Sequence, residues 1–434
     1  MAERVGRVAV AEPSAAPERR RPLLRENLEF RRLWTGQVVS LLGDQVTLLA
    51  LPLVAVLLLH AGAAQMGYLT AAGLAPNLLF ALHAGAWVDR RRRRRRVMIA
   101  ADLGRTGLLA TIPLAYALGA LTLAQLYLVA FLAGALSMLF SVSYATLFVA
   151  VVPRDRYVEG NALVHGARAF SFVAGPSLGG LLVQVLSAPA ALVADAASFL
   201  WSALWLGRIS PAEPPPDAPG RGQVTAGARF IRRSPIVRAL LAATATINLF
   251  AFAFNALFVL YAVRWLRVPP GTLGAVLGAG AVGGLLGSAL TGRLCRRIGF
   301  GPAFLLGCVL FPAPLLLIPL AGGSRPLVLA ALFAAEFGSG VGVMVLDISI
   351  ASILAALVPD RLRARVSGAY TLVNYGVRPL GALLGGALGG AVGPRPTLWI
   401  ASCGALTGFL WLLRSPVPRL RALPAEPGRG GTTG

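Results

Sequence analysis

The feature that most constrains this chain is a series of long apolar segments joined by short polar connections. A helix needs about 20 apolar residues to cross the ~30 Å hydrocarbon core of a bilayer. The predicted helices lie at 34–59, 66–88, 97–118, 122–150, 159–185, 188–207, 235–263, 270–292, 301–322, 326–357, 366–392 and 395–413. Charged residues make up only 13% of the 434 positions, about half the share found in soluble domains. The sequence therefore predicts an all-α integral membrane protein with about twelve transmembrane helices.

The sequence also repeats itself at a spacing of 206 or 207 residues. Three pairs of short stretches match at this spacing: Gly85, Asp89 and Arg90 with Gly292, Arg296 and Arg297; Val152-Pro153 with Val358-Pro359; and Gly175–Gly180 with Gly381–Gly386. Internal repeats are common in transporters. The predicted organisation is a cytoplasmic tail (1–33), a six-helix half (34–207), a linker (208–234), a second six-helix half (235–413) and a cytoplasmic tail (414–434).

The linker between the halves has its own pattern. The stretch 211–216 contains four prolines and is not expected to be helical. The following stretch, Ala228–Arg233, predicts a short amphipathic helix on the inner membrane surface.

The positions of the basic residues predict the orientation of the chain. All 40 basic residues are arginines, and the formal net charge is +23. Four lie in alternate loops (Arg264, Arg267, Arg325, Arg395), three lie inside apolar segments (Arg105, Arg168, Arg378), and the others lie in the termini or the remaining loops. Because arginine-rich loops stay cytoplasmic, both termini are predicted to be cytoplasmic in a bacterial-type inner (plasma) membrane. The same asymmetry argues against a nucleic-acid partner.

Two of the repeated stretches resemble signatures of a known family. Between the second and third segments, Gly85, Asp89 and Arg90 fit the Gly-x-x-x-Asp-Arg loop pattern of the major facilitator superfamily, with Arg92 in place of an expected glycine. In the second copy, Arg296 replaces the acid. The resemblance implies a transporter fold of two six-helix halves.

A further resemblance concerns the direction of transport. Gly175, Pro176, Gly179 and Gly180 match the end of the Gly-Pro-x-x-Gly-Gly antiporter motif of this family, although Ser171 and Ala162 replace its two earlier glycines. Around residues 30–52, 152–162 and 195–199 the chain resembles the branch that contains enterobactin exporters and macrolide efflux proteins. The resemblance covers about residues 28–415 and implies export.

Eight ionisable side chains fall within the apolar segments: Asp44, Asp102, Arg105, Arg168, Asp195, Glu336, Asp347 and Arg378. Each costs about 2.5–3.5 kcal/mol at the bilayer centre, so each is expected to pair, face water or carry protons. Asp44 and Glu336 lie near midplane and are the candidate proton-coupling carboxylates. Arg168 and Arg378 are their candidate partners, and fixed Asp44–Arg168 and Glu336–Arg378 salt bridges are the alternative.

Other charged residues are assigned to gating or to structure. Gly85, Asp89 and Arg90 are expected to hold the cytoplasmic side shut beside the eleventh helix. Asp102 and Arg105 lie three residues apart, so we interpret them mainly as a structural pair that also docks the basic loop. Two further acids complete the predictions: Asp347 as a cytoplasmic gate and Asp195 as a structural residue on a peripheral helix.

Two apparent enzyme motifs are rejected. Gly175–Gly179 fits the Gly-x-Ser-x-Gly pattern of hydrolases but lies within an apolar segment, whereas that motif requires a strand-to-helix turn. Gly278–Gly283 fits a dinucleotide fingerprint without a preceding strand or a following acid. The chain also has no lysine for a nucleotide-binding P-loop. We therefore expect no enzyme activity, no metal and no cofactor.

These observations predict a proton-coupled exporter of amphipathic small molecules, such as a drug, a macrolide-like compound or a siderophore. The proton gradient is the expected energy source, and the protein is expected to function as a monomer in the lipid bilayer. The expected cavity residues are on the seventh helix: Phe250, Phe252, Phe254, Asn255 and Tyr261. The alternatives are an importer on the same fold, a non-transporting sensor or scaffold, and a membrane-embedded enzyme.

Overall fold

The computed structural model describes residues 22–89, 93–210 and 223–422. These residues form helices and short connections, and no strand occurs among them. The long helices are α1 (Leu28–Leu57), α2 (Ala63–Asp89), α3 (Arg94–Ala117), α4 (Leu123–Val151), α5 (Tyr157–Leu186), α6 (Ala188–Gly207), α7 (Pro235–Arg264), α8 (Pro270–Ile298), α9 (Phe300–Leu310, continued by Leu317–Leu320), α10 (Arg325–Leu357), α11 (Asp360–Val392) and α12 (Pro394–Leu406, continued by Leu410–Leu413).

Ten of these helices have the length and apolar composition to cross a membrane. The other two, α2 and α11, are 27 and 33 residues long and pack against each other where the two halves meet. The predicted all-α, twelve-helix, multi-pass architecture is confirmed.

Several helices extend beyond the apolar segments that predicted them. Helix α1 begins at Leu28 rather than at 34, because the Asn27 side chain caps it by accepting a bond of 2.9 Å from the Phe30 amide. Phe30 is fully buried in this first turn. Helix α8 likewise continues to Ile298 and α11 begins at Asp360. Hydropathy marks the hydrocarbon-spanning part of a helix, whereas the helical backbone continues into the polar headgroup layer.

The cap at Asn27 also ties α1 to α4, since Asn27 Nδ2 donates to the Val151 carbonyl at 2.9 Å. We expect Asn27→Ala to lower the free energy of unfolding by about 1 kcal/mol, the usual cost of losing an N-cap. The measurement is unfolding of the purified protein in detergent. The control is Asn161→Ala, which removes only an exposed bond to the Tyr157 carbonyl within α5. Equal stability of the two variants would contradict the capping role.

The helix ends define two faces. On the terminal face, where α1 begins and α12 ends, Arg32 donates to the Arg208 carbonyl after α6 at 2.5 Å. On the opposite face, Arg395 at the start of α12 donates to the Pro319 carbonyl at 2.8 Å. There too, Arg264 at the end of α7 donates to the Val56 carbonyl of α1 at 3.3 Å.

The two halves pack their helices in the same way. A Cβ added to Gly180 in α5 would lie 3.0 Å from Cα of Gly274 in α8. Its counterpart 206 positions later, Gly386 in α11, would place a Cβ 2.8 Å from Cα of Gly67 in α2, and Gly67 precedes Gly274 by 207 positions. Such close backbone contact needs glycine at both positions. The sequence repeat is therefore also a repeat of the three-dimensional packing.

The same two glycine contacts show where the halves meet. Both lie toward the opposite face, at the end of α5 and the start of α8, and at the start of α2 and the end of α11. The halves are thus in close backbone contact on the opposite face.

A shorter helix, Gln223–Arg233, follows the linker. Its Ile231 is buried in a small apolar cluster with Val366 of α11, and Arg232 and Arg233 are exposed. The predicted amphipathic segment is therefore helical and packs against α11. The proline-rich stretch 211–216 lies outside the described residues.

Candidate functional site

Three acids and one arginine converge between α1, α3 and α6. Arg105 Nη2 donates to Oδ1 of Asp102 one turn earlier in α3, and Arg105 Nη1 lies 3.7 Å from Oδ1 of Asp44 in α1. Asp195 of α6 lies close enough to interact electrostatically with both Asp44 and Arg105. We call Asp44, Asp102, Asp195 and Arg105 the carboxylate cluster.

Aromatic rings and one hydroxyl fix the position of the arginine. Its Cζ lies 3.9 Å from the centre of the Phe199 ring and 4.9 Å from that of Phe140, within the range of cation–π attraction. Arg105 Nη1 also donates to Ser137 Oγ at 3.3 Å. The sequence reasoning did not identify these three side chains.

The predicted Asp102–Arg105 contact is present, and it is deeply buried. Asp102 is fully buried and Arg105 is 3% exposed. The cluster sets three carboxyl groups against a single guanidinium, so full ionisation would leave an excess of negative charge. Nearby charges of like sign favour the neutral form of one member. The arrangement is therefore suited to holding a proton.

Asp195, predicted to be a structural residue on a peripheral helix, lies inside the N-terminal half. It is fully buried, and Ser198 Oγ donates to its Oδ1 at 2.9 Å. A Cβ added to Gly43 of α1 would lie 2.8 Å from the Ser198 Cβ. Because Gly43 has no side chain, α6 approaches α1 closely and Asp195 reaches the neighbourhood of Asp44.

The carboxylate cluster is open to water only at Asp44, whose side chain is 40% exposed. Asp44 lines a cavity of about 110 Å³. The other lining residues are Gln37, Ser40, Leu41, Arg105, Ser137, Phe140, Ser141, Tyr144 and Arg168. Asp44 is thus the acid of the cluster that faces the cavity.

The alternative of a fixed Asp44–Arg168 salt bridge is wrong for this conformation. Arg168 lines the same cavity but is exposed, and the cation within 4 Å of Asp44 is Arg105. Arg105 projects from α3 toward α1, whereas Arg168 of α5 faces the cavity. The depth of a side chain along its helix can be counted from the sequence, but the direction in which it points depends on the packing.

Two buried oxygens of the cluster have no hydrogen-bond partner. They are Oδ2 of Asp102 and Oδ2 of Asp195. Buried polar atoms in proteins are nearly always hydrogen-bonded, to protein or to ordered water. The Ser202 hydroxyl lies close to the Asp102 carboxyl and the Thr47 hydroxyl close to that of Asp195, so these hydroxyls are the nearest donors for the two oxygens.

A second polar group lies in the C-terminal half, between α7 and α11. Arg378 Nε donates to Asn248 Oδ1 at 3.0 Å, and the guanidinium lies 3.9 Å from the centre of the Tyr375 ring. The Thr244 and Tyr370 hydroxyls share a hydrogen bond of 2.6 Å in the same row. A polar strip on facing sides of the two helices is formed by residues four positions apart: Thr244 and Asn248 on α7, and Tyr370, Asn374 and Arg378 on α11.

The alternative of a fixed Glu336–Arg378 salt bridge is also wrong for this conformation. The Glu336 carboxyl lies instead toward α8, where a Cβ added to Gly280 would be 3.2 Å from Oε2. No ion pair or hydrogen bond of this side chain occurs within the described ranges. Asp347 is exposed and lies close enough to Arg378 for their charges to interact. Its role in gating stays a prediction.

The aromatic residues of α7 do not form one cavity wall. Phe254 and Tyr261 are each only 2% exposed and belong to the apolar core. Phe250 packs against α12, where a Cβ added to Gly404 would be 2.7 Å from its Cγ. Phe252 contacts the polar strip, with its ring centre 5.0 Å from the Arg378 Cζ. The prediction was therefore wrong for Phe250, Phe254 and Tyr261, because α7 is covered on several sides.

The loop signature is only partly visible. Gly85 and Asp89 belong to the last turns of α2, and nothing is described of their side chains, while Arg90 lies outside the described residues. Their predicted gating roles stay predictions. The antiporter-motif glycines are well defined: a Cβ on Gly179 would lie 3.0 Å from the Val46 Cα of α1. Gly175 packs on Gln45, and Pro176 and Gly180 face α8.

Removing the guanidinium of the carboxylate cluster should destabilise the fold. Arg105→Gln leaves buried carboxyls without their cation, and breaking a buried ion pair from one side costs roughly 3–5 kcal/mol. We expect a much lower yield of folded protein and a lower free energy of unfolding in detergent. Asp102→Asn in the same chain should restore part of both, whereas stability unchanged by Arg105→Gln would contradict the pairing.

No group of three or more His, Cys, Asp or Glu side chains suited to a metal ion occurs in 22–89, 93–210 or 223–422. The carboxylate cluster has its own internal cation, Arg105, and lies between helices of one half beside a cavity.

Comparisons with known proteins agree with this architecture. The chain is 29% identical over 413 residues to the "Multidrug efflux pump Tap" of Mycolicibacterium fortuitum, covering 88% of this chain and 93% of the relative. A structure of the nucleoside transporter NupG aligns with a TM-score of 0.74 at 13% identity, over 88% of this chain and 98% of that one. A bacterial homologue of the iron transporter ferroportin, in an inward-facing state, aligns with a TM-score of 0.71 at 18% identity, over 91% and 99%.

The family model described as Major Facilitator Superfamily matches residues 33–382 and 266–432. These ranges span both six-helix halves, and the glycine contacts repeat between them. The chain belongs to the Major Facilitator Superfamily of transporters.

Proposed function

We propose that this protein exports amphipathic small molecules in exchange for protons, by alternating access, across a bacterial-type inner (plasma) membrane. The terminal face, which carries most of the arginines, is placed in the cytoplasm by the positive-inside rule. Both termini are then cytoplasmic. One chain supplies both halves and their interface, so we propose that a single copy is the transporting unit.

The observation that carries the assignment to export is the similarity to a multidrug efflux pump over 88% of this chain. The antiporter-motif residues support the same direction. Gly175 and Gly179 seat α5 on α1, and Gly180 contacts Gly274 across the two halves. The motif thus lies on α5 between α1, which carries Asp44, and α8 of the other half.

The carboxylate cluster supports coupling to protons. Asp44 is reached from the cavity, while Asp102 and Asp195 are buried behind it with Arg105 between them. When Asp44 is neutral, its attraction to Arg105 weakens, and α1 is released from α3. A ligand or a proton that changes this contact biases the equilibrium between the two conformations of the halves.

The cavity walls support an amphipathic substrate. In the N-terminal half, Phe140 and Tyr144 stand beside Asp44 and Arg168. In the C-terminal half, Phe252 and Tyr375 stand beside Arg378. Apolar and aromatic walls with a few placed polar groups are typical of small-molecule sites. Glu336, near α8, is a second candidate proton carrier.

The test is accumulation of fluorescent and toxic amphiphiles in an efflux-deficient bacterial host. Cells expressing the wild type are compared with cells lacking it, with and without a protonophore. We expect lower accumulation of part of the panel, and we expect the difference to vanish when the proton gradient collapses. Higher accumulation in expressing cells would instead indicate import, and no difference across the panel would remove broad drug efflux.

A further inference from the structure

Three of the four arginines assigned to the opposite face meet in one cavity. Arg267, Arg325 and Arg395 line a cavity of about 440 Å³ in the C-terminal half, between the ends of α7, α9, α10 and α12. Arginine is disfavoured on the outer side of a membrane. Three of the four arginines on this face nevertheless line one cavity, which suggests that the cavity binds a ligand.

The electrostatics of this cavity favour an anion. The described connections on this face contain no Asp or Glu. Arg325 is the first residue of α10 and Arg395 the second of α12, so two helix N-termini add their positive ends. Arg395 Nε is used in the bond to the Pro319 carbonyl, which holds its guanidinium at the cavity.

The remaining walls favour a ligand that is partly apolar. Tyr261 and Trp265 stack with ring centres 6.1 Å apart, and Trp265 is 50% exposed. Leu266, Val328 and Leu329 also line the cavity. Tryptophan and tyrosine concentrate at the depth of lipid headgroups, so the arginines of this cavity lie where they reach a phosphate of a lipid headgroup.

We propose that this cavity binds a phosphate-bearing anion, supplied as the headgroup of an anionic phospholipid. The arginines bind the phosphodiester by charge-assisted hydrogen bonds, and the aromatic and aliphatic walls contact the glycerol and the first part of the acyl chains. In the orientation proposed above this lipid belongs to the outer leaflet, but the site itself does not depend on transport activity.

The experiment titrates the purified wild type in detergent with short-chain phosphatidylglycerol, phosphatidylcholine or inorganic phosphate, and follows the apparent melting temperature. We expect a saturable increase with phosphatidylglycerol, and an equal increase with phosphate only at concentrations at least about tenfold higher. Phosphatidylcholine should give a smaller, unsaturated response. If phosphate saturated at the same concentration as phosphatidylglycerol, the assignment to a lipid would fall.

The variants separate this cavity from the other arginines. A chain with Arg267→Gln, Arg325→Gln and Arg395→Gln should need at least about tenfold more phosphatidylglycerol for half the effect. The matched control is Arg264→Gln, which removes the fourth outer arginine but lies outside the cavity. If the triple variant does not fold, Arg325→Gln alone, which is exposed, should need about threefold more lipid.

An unchanged midpoint in the cavity variants, or an equal shift in Arg264→Gln, would overturn the proposal. Neither result would affect the export assay in cells, and a failure of export would leave the lipid titration unchanged. The two proposals therefore fail separately.

Discussion

Asp44→Asn is expected to reduce export to the level of cells lacking the protein, a loss of at least about tenfold. Asparagine keeps the size of the side chain but cannot exchange a proton, so the carboxylate cluster would lose its member that faces the cavity. General acid–base groups contribute on this scale or above when they are removed. The measurement is the initial rate of efflux of one fluorescent substrate at matched expression.

The control for this substitution is Asp360→Asn, which makes the same chemical change at a side chain 88% exposed on the terminal face. That variant should export normally. If Asp44→Asn retained wild-type export, the proton would have to be carried elsewhere, and Glu336 would be the next carboxylate to replace.

A disulfide across the halves on the opposite face is expected to stop transport. The amide of Gly271 in α8 donates to Gln184 Oε1 of α5 at 3.0 Å, and a Cβ added to Gly271 would lie 3.8 Å from the Gln184 Cβ. That separation is typical of disulfides. We therefore expect Gln184→Cys with Gly271→Cys to cross-link under mild oxidation and to block export nearly completely.

Reduction should restore transport in the double variant. The two single variants, treated with the same oxidant in a Cys403→Ser background, serve as controls because the other native cysteines, Cys295 and Cys308, are buried. Full transport by the cross-linked protein would show that the halves do not separate on this face, and alternating access as described would be wrong.

The fold was largely predictable because the features that define it can be read along the sequence. Segment length, the positions of arginine and the repeat at 206–207 residues need no knowledge of packing. The exceptions are helix ends, such as the first turns of α1. There Asn27 caps the helix and Phe30 is buried, although the neighbouring residues are charged. A hydropathy threshold excludes that turn, although capping and burial make it helical.

The site was predictable only in part. Depth along a helix follows from counting residues, and this count is the basis for predicting that Asp44 and Glu336 lie near midplane. The direction of a side chain around the helix depends on which neighbours pack there. Asp195 was therefore predicted only as a structural residue, although Gly43 beside Asp44 and Ser198 one turn after Asp195 were signals of a close α1–α6 contact.

The same reasoning explains the two wrong ion pairs. Arg168 and Arg378 lie at suitable depths for Asp44 and Glu336, but the first is exposed to the cavity and the second is bonded to Asn248. The arginine that lies near Asp44 is Arg105 of α3, not Arg168 of α5. Only a three-dimensional arrangement distinguishes these cases.

The most direct test of proton-coupled export is transport by the purified protein in liposomes. An imposed proton gradient should drive a fluorescent substrate against its own concentration gradient with the wild type, and no net movement should occur with Asp44→Asn. Exchange of labelled for unlabelled substrate at equal pH should persist in that variant. Net transport that ignores the proton gradient, or that continues at the wild-type rate in Asp44→Asn, would contradict the account.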